Sequence, residues 1–518
     1  MSLDPVAVTI FVALFAFVTL LGFAAARWRR GDLSQLHEWG LGGRRFGTLV
    51  TWFLLGGDLY TAYTFIAVPA VMFGAGAMGF FAVPYTILVY PILFAVFPRL
   101  WAVARAKGYV TAADFVRGRF DSRTLALAIA VTGIVATMPY IALQLVGMEV
   151  VIAGLGIPMT MTVAGVSIPD APLLIAFVVL AAYTYNSGLR APAMIAVVKD
   201  ALLYITVLAA VIVIPAELGG YAKIFASIDP KSLLLPPASP GNLGGQSAYA
   251  TLGLGSALAL LLYPHSVTGL LSASSKRSVK RNAVILPAYS FALGLIALLG
   301  YMAVASGVKA MPQFASGFKA FGNNFAVPAL FLHAFPGWFV GIAFAAIAIG
   351  ALVPAAIMSI ACANLFTRNI YKEYISPNAS QEAECRVAKY VSLVVKLGAL
   401  FFIIELPTQY AIQLQLLGGI WIIQTLPSVF LGLYTRRLHP MALLIGWASG
   451  IGAGTWMAAQ SAFKTSTYAL HIFGLTVPCY AALSSLVLNV AIAVVFSAVF
   501  NVLSTAPRID ATAAEDYV

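Results

Sequence analysis

The sequence predicts an all-α protein that crosses a lipid bilayer about thirteen times, built on an inverted repeat of five helices plus five. Three observations carry that expectation. Hydrophobic residues make up 61% of the 518 residues and charged residues only 9%, a balance that no water-soluble chain of this length sustains. Apolar stretches of about 20 residues recur from end to end, each long enough to carry a helix across the ~30 Å hydrocarbon core. Lys and Arg fall on alternate connections rather than evenly.

Helices are the required element, because lipid leaves no partner for open backbone groups. The first expected span, 5 to 26, follows Asp4 and lacks a basic leader, so a retained helix rather than a cleaved signal peptide is expected. The next five, 47 to 73, 78 to 104, 124 to 155, 171 to 187 and 191 to 217, form one half of the repeat. Spans 250 to 272, 282 to 307, 337 to 365, 387 to 405 and 409 to 434 form the other half, and 440 to 461 and 478 to 503 complete the set. The organisation is then an extra helix with its loop (1–46), the first repeat (47–217), an outer loop (218–249), the second repeat (250–434), two further helices (435–503) and a tail (504–518). The longest connections, 218 to 249 and 308 to 336, are too short for a catalytic domain.

The loops on one side, among them "RWRR", "GGRRFG", "RGRFDSR" and "SSKRSVKRN", together with Arg508 hold 23 basic residues. The opposite side holds only Lys223, Lys231, Lys309, Lys319 and Lys464, while Lys199 and Lys396 fall within spans. The basic side is expected to be cytoplasmic, with the N terminus periplasmic, the C terminus cytoplasmic, and the chain in a bacterial inner membrane. The net charge of +12 is thereby assigned to short loops beside anionic lipid heads, not to nucleic acid. Cys362, Cys385 and Cys479 are too scattered for a disulfide or metal framework, and no obligate protein partner or cofactor is indicated. The glycine-rich "GAGAMGF" follows a membrane helix and lacks the Lys-Ser or Lys-Thr that closes a phosphate loop.

Two spans are interrupted. In "LLGGDLYTAYTF", Gly56 and Gly57 could simply admit a neighbouring helix. Asp58 argues for more, since a carboxylate at this depth costs several kcal/mol unless it pairs, binds a cation or takes a proton. In "LLLYPHSVTGLL", Pro264 removes a backbone donor and opposes the preceding turn, and His265 follows it. The two breaks occupy the first helix of each half. Unwound turns near mid-membrane expose carbonyls for cations and helix ends for anionic substrates.

These segments resemble the sodium:solute symporter family, and the resemblance runs through all thirteen spans. "LLGGDLYTAYTFIAVPAVMFGAGAMGF" is similar to that family's broken first core helix, "GLRAPAMIAVVKDALL" to its fifth and "LYPHSVTGLLSASSKRSVKRN" to its sixth. "GALVPAAIMSIACANLFTRNIYKEYISP" is similar to the eighth, with "NIYKEY" where the family commonly has Asp-Ile-Tyr. The bacterial monocarboxylate permease branch is the most similar. The resemblance implies a LeuT-type fold, broken first and sixth core helices, and alternating access coupled to sodium in most members.

By position, the resemblance places a sodium site at Gly57 and Tyr60 of the first core helix and at Gly350, Val353 and Pro354 of the eighth. Val353 and Pro354 stand where the family offers two hydroxyls, and Ala196 stands where it usually has an acid. Lys199 and Asp200 follow one turn later. The ammonium could replace the ion and cycle a proton, or it could snorkel to the inner surface. Na+ and H+ therefore both remain open as coupling ions.

Candidate substrate residues are Asp58, Tyr60, Thr61, Tyr63, Thr64, Gln144 and His265. The hydroxyls after the first break could face a small carboxylate or merely pack. Gln144 resembles a glutamine of the third core helix and could bind substrate or bridge helices. His265 could donate to a carboxylate, carry a proton, or be a satisfied structural group. Glu149 is expected to be solvated or interfacial, and Lys396 and Glu405 to lie near span ends. "QLQLLGGIW", around Gln415, could be part of an outer gate or a helix contact.

The expectation is a secondary transporter importing a short monocarboxylate such as lactate, pyruvate or acetate. The alternative is an amino-acid or other small-solute symporter. A sensor scaffold or intramembrane enzyme needs a signalling domain or a catalytic constellation, and neither is legible.

Overall fold

A computed structural model describes residues 3–28, 31–163, 166–405, 411–503 and 509–518, and helices dominate it. The first helix, α1 (Pro5–Ala24), starts where Asp4 accepts bonds from the amides of Val6 and Ala7, with Pro5 at the first helical position. A short α2 (Leu36–Leu41) precedes the broken pair α3 (Thr48–Leu59) and α4 (Val68–Ala75). Next come α5 (Ala82–Lys107), α6 (Ala112–Phe120), α7 (Arg123–Gly154), α8 (Ala171–Ser187) and α9 (Arg190–Glu217). Thr111 and Asp114 form a reciprocal cap that starts α6.

The second broken pair is α11 (Gly244–Leu260) and α12 (Pro264–Leu271), reached through the short α10 (Tyr221–Ser227). Then follow α13 (Lys276–Ile285), α14 (Pro287–Ala305), α15 (Ala315–Phe321), α16 (Ala326–Ala334), α17 (Gly337–Phe366) and α18 (Gln381–Glu405). The last group is α19 (Ala411–Ile422), α20 (Leu426–Val429), α21 (Pro440–Ala459) and α22 (Ala481–Leu503). Two small antiparallel hairpins accompany them: β1 (Met161–Val163) with β2 (Val166–Ile168), and β3 (Thr467–Ile472) with β4 (Leu475–Tyr480).

The innermost element is α17, 94% of whose most apolar window is buried. Its Ala, Gly and Ile residues make it apolar on all sides, as a helix surrounded by other helices must be. It packs on α7, α1, α9 and α18. By contrast only 22% of the corresponding window of α22 is buried, as suits a helix at the rim.

Helical residues lie within each of the thirteen expected spans, but the count itself is different by length and apolarity. Nine helices among the described residues are long and apolar enough to cross a membrane, or ten if the α11–α12 pair is one span. The shortfall has local causes. The break leaves α3 only 12 residues long, and α8 has 17. Charges at the start of α18, from Glu382 to Lys396, dilute its apolar face, and the run from Tyr63 to Lys107 counts once although Gly76 interrupts it at φ 61°. The last span begins at Ala481 rather than 478, because residues 475–480 pair as a strand. Residues 409 and 410 of the expected eleventh span lie outside the described residues, as do Arg508 and the side chain of Glu405.

Candidate functional site

The first break is held by its own hydroxyls. Helix α3 stops at Leu59, and Tyr60 takes an extended conformation (φ −87°, ψ 91°). Unwinding frees backbone donors that buried structure must satisfy. Thr64 Oγ1 accepts from the Thr61 amide at 2.9 Å, Thr61 Oγ1 accepts from the Tyr63 amide at 3.0 Å, and Gln144 Oε1 accepts from the Ala62 amide at 3.3 Å. A wide π-type turn, Tyr63–Ala67, then leads into α4. Thr61, Thr64 and Gln144 thus act on the backbone of the break itself.

The carbonyls that the break frees meet a cation. Lys199 Nζ donates to the carbonyls of Gly57 at 2.5 Å and Tyr60 at 3.0 Å, and stands 3.1 Å from Asp200 Oδ1. The Lys199 and Asp200 side chains are both 0% exposed, which rules out a snorkelling lysine. Tyr289, from α14, donates to Asp200 Oδ2 at 2.7 Å, and the Tyr60 hydroxyl donates to the Tyr289 carbonyl at 2.9 Å. The hydroxyl of Tyr60 is therefore engaged away from the break. Tyr289 carried no signal in the sequence, where it is one aromatic among many in a span.

The donor set around Gly57 and Tyr60 fits a sodium ion poorly. Both carbonyls already accept from an ammonium, and Ala196 rather than an acid faces Gly57. Gly350 sits across from the Tyr60 carbonyl, whereas Val353 and Pro354, both buried, bring no side-chain oxygen.

The second break meets the first. Helices α11 and α12 are bent by 50°, and Pro264 begins α12 where its missing amide costs nothing. His265 Nε2 lies 3.4 Å from Asp58 Oδ2, and Ser266 Oγ donates to the same oxygen at 3.4 Å. The rings of Tyr140 and Tyr263 pack on the His265 ring with centroids 5.4 and 5.3 Å away.

Several buried polar atoms of these helices and of α19 have no hydrogen-bond partner: Asp58 Oδ1, the Tyr63 hydroxyl, both nitrogens of His265, Ser256 Oγ, and, on α19, both polar atoms of the Gln415 side chain. Such atoms normally cost about 1–3 kcal/mol each unless something binds them. Gln415 and Ser256 are therefore added to the candidates. Nothing in the sequence separated the Gln415 amide from the glycine pair beside it, and those glycines serve packing. A Cβ at Gly418 would strike the Ala136 carbonyl and the Tyr263 hydroxyl, and one at Gly419 the Tyr480 hydroxyl.

Two further expectations change. Lys396 lies inside α18, 1% exposed, with Nζ donating to the Ser392 carbonyl at 3.3 Å; the helix starts six residues before the expected span, so the lysine is not near an end. Glu149 is partly buried, with Oε2 enclosed and unpartnered instead of solvated.

Access differs on the two sides of the breaks. A cavity of about 410 Å³ is lined by Ala67 and Ala70 beyond the first break and by Asn323, Gln413 and Ser466. Below Pro264, between Thr111, Gly133, Thr268 and Leu365, only about 20 Å³ is free.

Two interrupted helices that meet over enclosed, unpartnered polar groups define a membrane transporter. The family model for the sodium:solute symporter family matches residues 39–450. The chain belongs to that family, which is one of transporters and not of enzymes. It is 52% identical over 502 residues to a monocarboxylate transport permease protein of Rhizobium johnstonii, covering 96% of this chain and 97% of that protein. It is 34% identical over 440 residues to an uncharacterised symporter of Bacillus subtilis, YodF, with 84% of each chain covered. Among solved structures, a Na+-coupled sialic acid symporter in a substrate-bound outward-open state superimposes with a TM-score of 0.74, covering 98% of this chain and 99% of that one at 17% identity. That likeness shows a shared LeuT-like fold.

Proposed function

We propose that the chain imports a short monocarboxylate, such as lactate, pyruvate or acetate, by alternating access across a bacterial inner membrane. The single observation behind this reading is the meeting of the two breaks, with His265 3.4 Å from Asp58 and with Asp58 Oδ1 and both His265 nitrogens lacking a hydrogen-bond partner. A small acid at this meeting has the unpartnered Tyr63 hydroxyl and His265 nitrogens as candidate donors, with Ser256 and Gln415 as further unpartnered groups on α11 and α19. The name of the Rhizobium relative supports the substrate class. The domain reading is that residues 47–217 and 250–434 form inverted halves within thirteen spans, with the basic side cytoplasmic.

Coupling follows from a charge balance. Asp58 and Asp200 bring two carboxylates into the buried region, and Lys199 brings one ammonium. An anionic substrate adds a further negative charge to a region where carboxylates already outnumber ammonium groups, which is costly at this depth and favours its entry together with a cation. Lys199 already fills the position that a sodium ion would take on the Gly57 and Tyr60 carbonyls, which favours a proton, held by Asp58 and His265. The second reading is Na+ symport, supported by the family and by the Na+-coupled structural neighbour.

Uptake into proteoliposomes tests the substrate class. Labelled lactate, pyruvate and acetate are expected to accumulate and to compete with one another, with alanine a weak competitor. Alanine uptake without any acid uptake would replace the proposal with the amino-acid alternative.

A further inference from the structure

Away from the broken helices, the basic side of the molecule carries a second built cavity, of about 410 Å³. Three elements that are distant in sequence line it. The linker before the first broken helix gives His37, Gly43 and Arg44, the end of α5 gives Arg105 and Gly108, and the stretch after α17 with the first turn of α18 gives Arg368, Lys372 and Glu384. Four permanent cations thus face the cavity against one carboxylate. That carboxylate is already engaged: Arg368 Nη1 donates to Glu384 Oε2 at 3.2 Å, and Lys372 Nζ donates to Glu384 Oε1.

Arg44 is placed here at a cost. Gly42, Gly43 and Arg44 all have positive φ (57°, 65° and 54°), a region that arginine rarely adopts. The turn sends the guanidinium against α5, where Nη2 donates to the carbonyls of Ala104, at 3.3 Å, and Tyr109. Nη1 is enclosed and makes no hydrogen bond. Burial first, and then the charge of Arg105, bring the Arg44 guanidinium down to about 10, with Asp114 opposing. The group stays charged at neutral pH and lacks a counter-ion on its cavity side.

We propose that this cavity is a binding site for a phosphoryl-bearing anion, held by Arg44, Arg105, Arg368 and Lys372. Planar guanidinium forks match phosphoryl oxygens bidentately, and a lysine adds a point charge. Glu384 offsets one of the four cations, so a monocarboxylate, with one charge, leaves two unmatched, whereas a phosphate monoester or diphosphate carries two or more. The cavity is separate from the broken-helix site and takes no part in the charge balance there. An anion in it ties the linker ahead of α3 to the segment that follows α17. The phosphoryl group could belong to a soluble anion or to an anionic lipid head.

Thermal unfolding of the purified full chain distinguishes these sources. Pyrophosphate is compared with chloride at equal ionic strength in a neutral detergent, and nanodiscs of phosphatidylglycerol are compared with nanodiscs of phosphatidylcholine. The expected result is a rise in midpoint of about 2 °C or more with at least one probe. A rise with pyrophosphate identifies a soluble ligand, and a rise confined to phosphatidylglycerol identifies a lipid head. Arg105→Gln, at an exposed residue that makes no ion pair among the described residues, and Lys372→Gln, at a partly exposed residue whose loss leaves Arg368 on Glu384, are each expected to remove at least half of the rise. Arg277→Gln, on the same face but outside the cavity, is expected to keep it. No rise with either probe, or a rise that persists in both cavity variants, overturns the proposal.

Discussion

At the scale of single residues, the account turns on where each polar group spends its bonds. Lys199 joins Gly57, Tyr60 and Asp200 into one buried unit, so removing the ammonium strands a carboxylate. Lys199→Ala is expected to destabilise the purified protein by about 3–5 kcal/mol, and Lys199→Ala with Asp200→Ala to recover most of that loss while uptake stays absent. Denaturant unfolding of the three proteins checks this; equal losses in the single and double variants would dissolve the pair. Asp58→Asn keeps shape and volume but not charge. It is expected to unfold normally and to lose about tenfold or more of coupled uptake, equivalent to about 1.4 kcal/mol. Lys199 and Asp58 were legible because ionisable groups inside a span are rare. The use of Thr61 and Thr64 was not, because a hydroxyl in a sequence does not reveal whether it will cap an unwound backbone or face a ligand. In the structure both hydroxyls bond the backbone of the break.

At the scale of elements, the breaks were readable because their causes are local. Gly-Gly-Asp and Tyr-Pro-His each interrupt an apolar run in a way that no helix propensity repairs. The close packing behind them was less readable, since a glycine pair fits a hinge and a tight contact equally well until its neighbours are known. Gly418 lies against the Ala136 carbonyl and the Tyr263 hydroxyl, so Gly418→Ala is expected to cost about 1–3 kcal/mol by overpacking. Tyr263 donates to the Gln415 carbonyl at 3.0 Å and packs on His265, so the same change should also weaken substrate competition. An unchanged unfolding midpoint would restore the gate reading of "QLQLLGGIW". The hairpin β3–β4 escaped the sequence reading altogether. Its second strand, Leu475–Tyr480, is apolar enough to read as the start of the next span, and only pairing with 467–472 reveals it.

At the scale of the whole molecule, the ends of many helices are tied together on the basic side. Residues of the tail reach back to three segments. Arg119 donates to Asp510 at 2.6 Å, Arg436 lies 3.3 Å from the same carboxylate, Lys107 stands 3.1 Å from Asp516, and the Ala511 amide donates to the Gly118 carbonyl at 2.9 Å. Tyr517 is buried with the guanidinium carbons of Arg99 and Arg119 5.2 and 5.8 Å from its ring centre. Asp510→Ala with Asp516→Ala is expected to speed proteolysis of the tail and to lower stability by about 1 kcal/mol, since these ion pairs are partly exposed. Proteolysis at the wild-type rate would show the tail to be held by other contacts. Net charge and loop composition foretold a basic side but not that the tail folds onto it, because that docking depends on which helix ends become neighbours.

The cavity beyond the first break, about 410 Å³, is far larger than the 20 Å³ one beside Pro264, and the Asp58–His265 contact joins the two broken helices. Lys199 holds the Gly57 and Tyr60 carbonyls, and the proton-driven import of the acid proposed for the chain is what this arrangement is expected to support. Lactate uptake into proteoliposomes under an imposed inward proton gradient, with sodium replaced throughout by choline, tests it most directly. The account predicts accumulation that a protonophore abolishes and that added sodium does not raise. A strict requirement for sodium at fixed pH, with no response to the proton gradient, would contradict it.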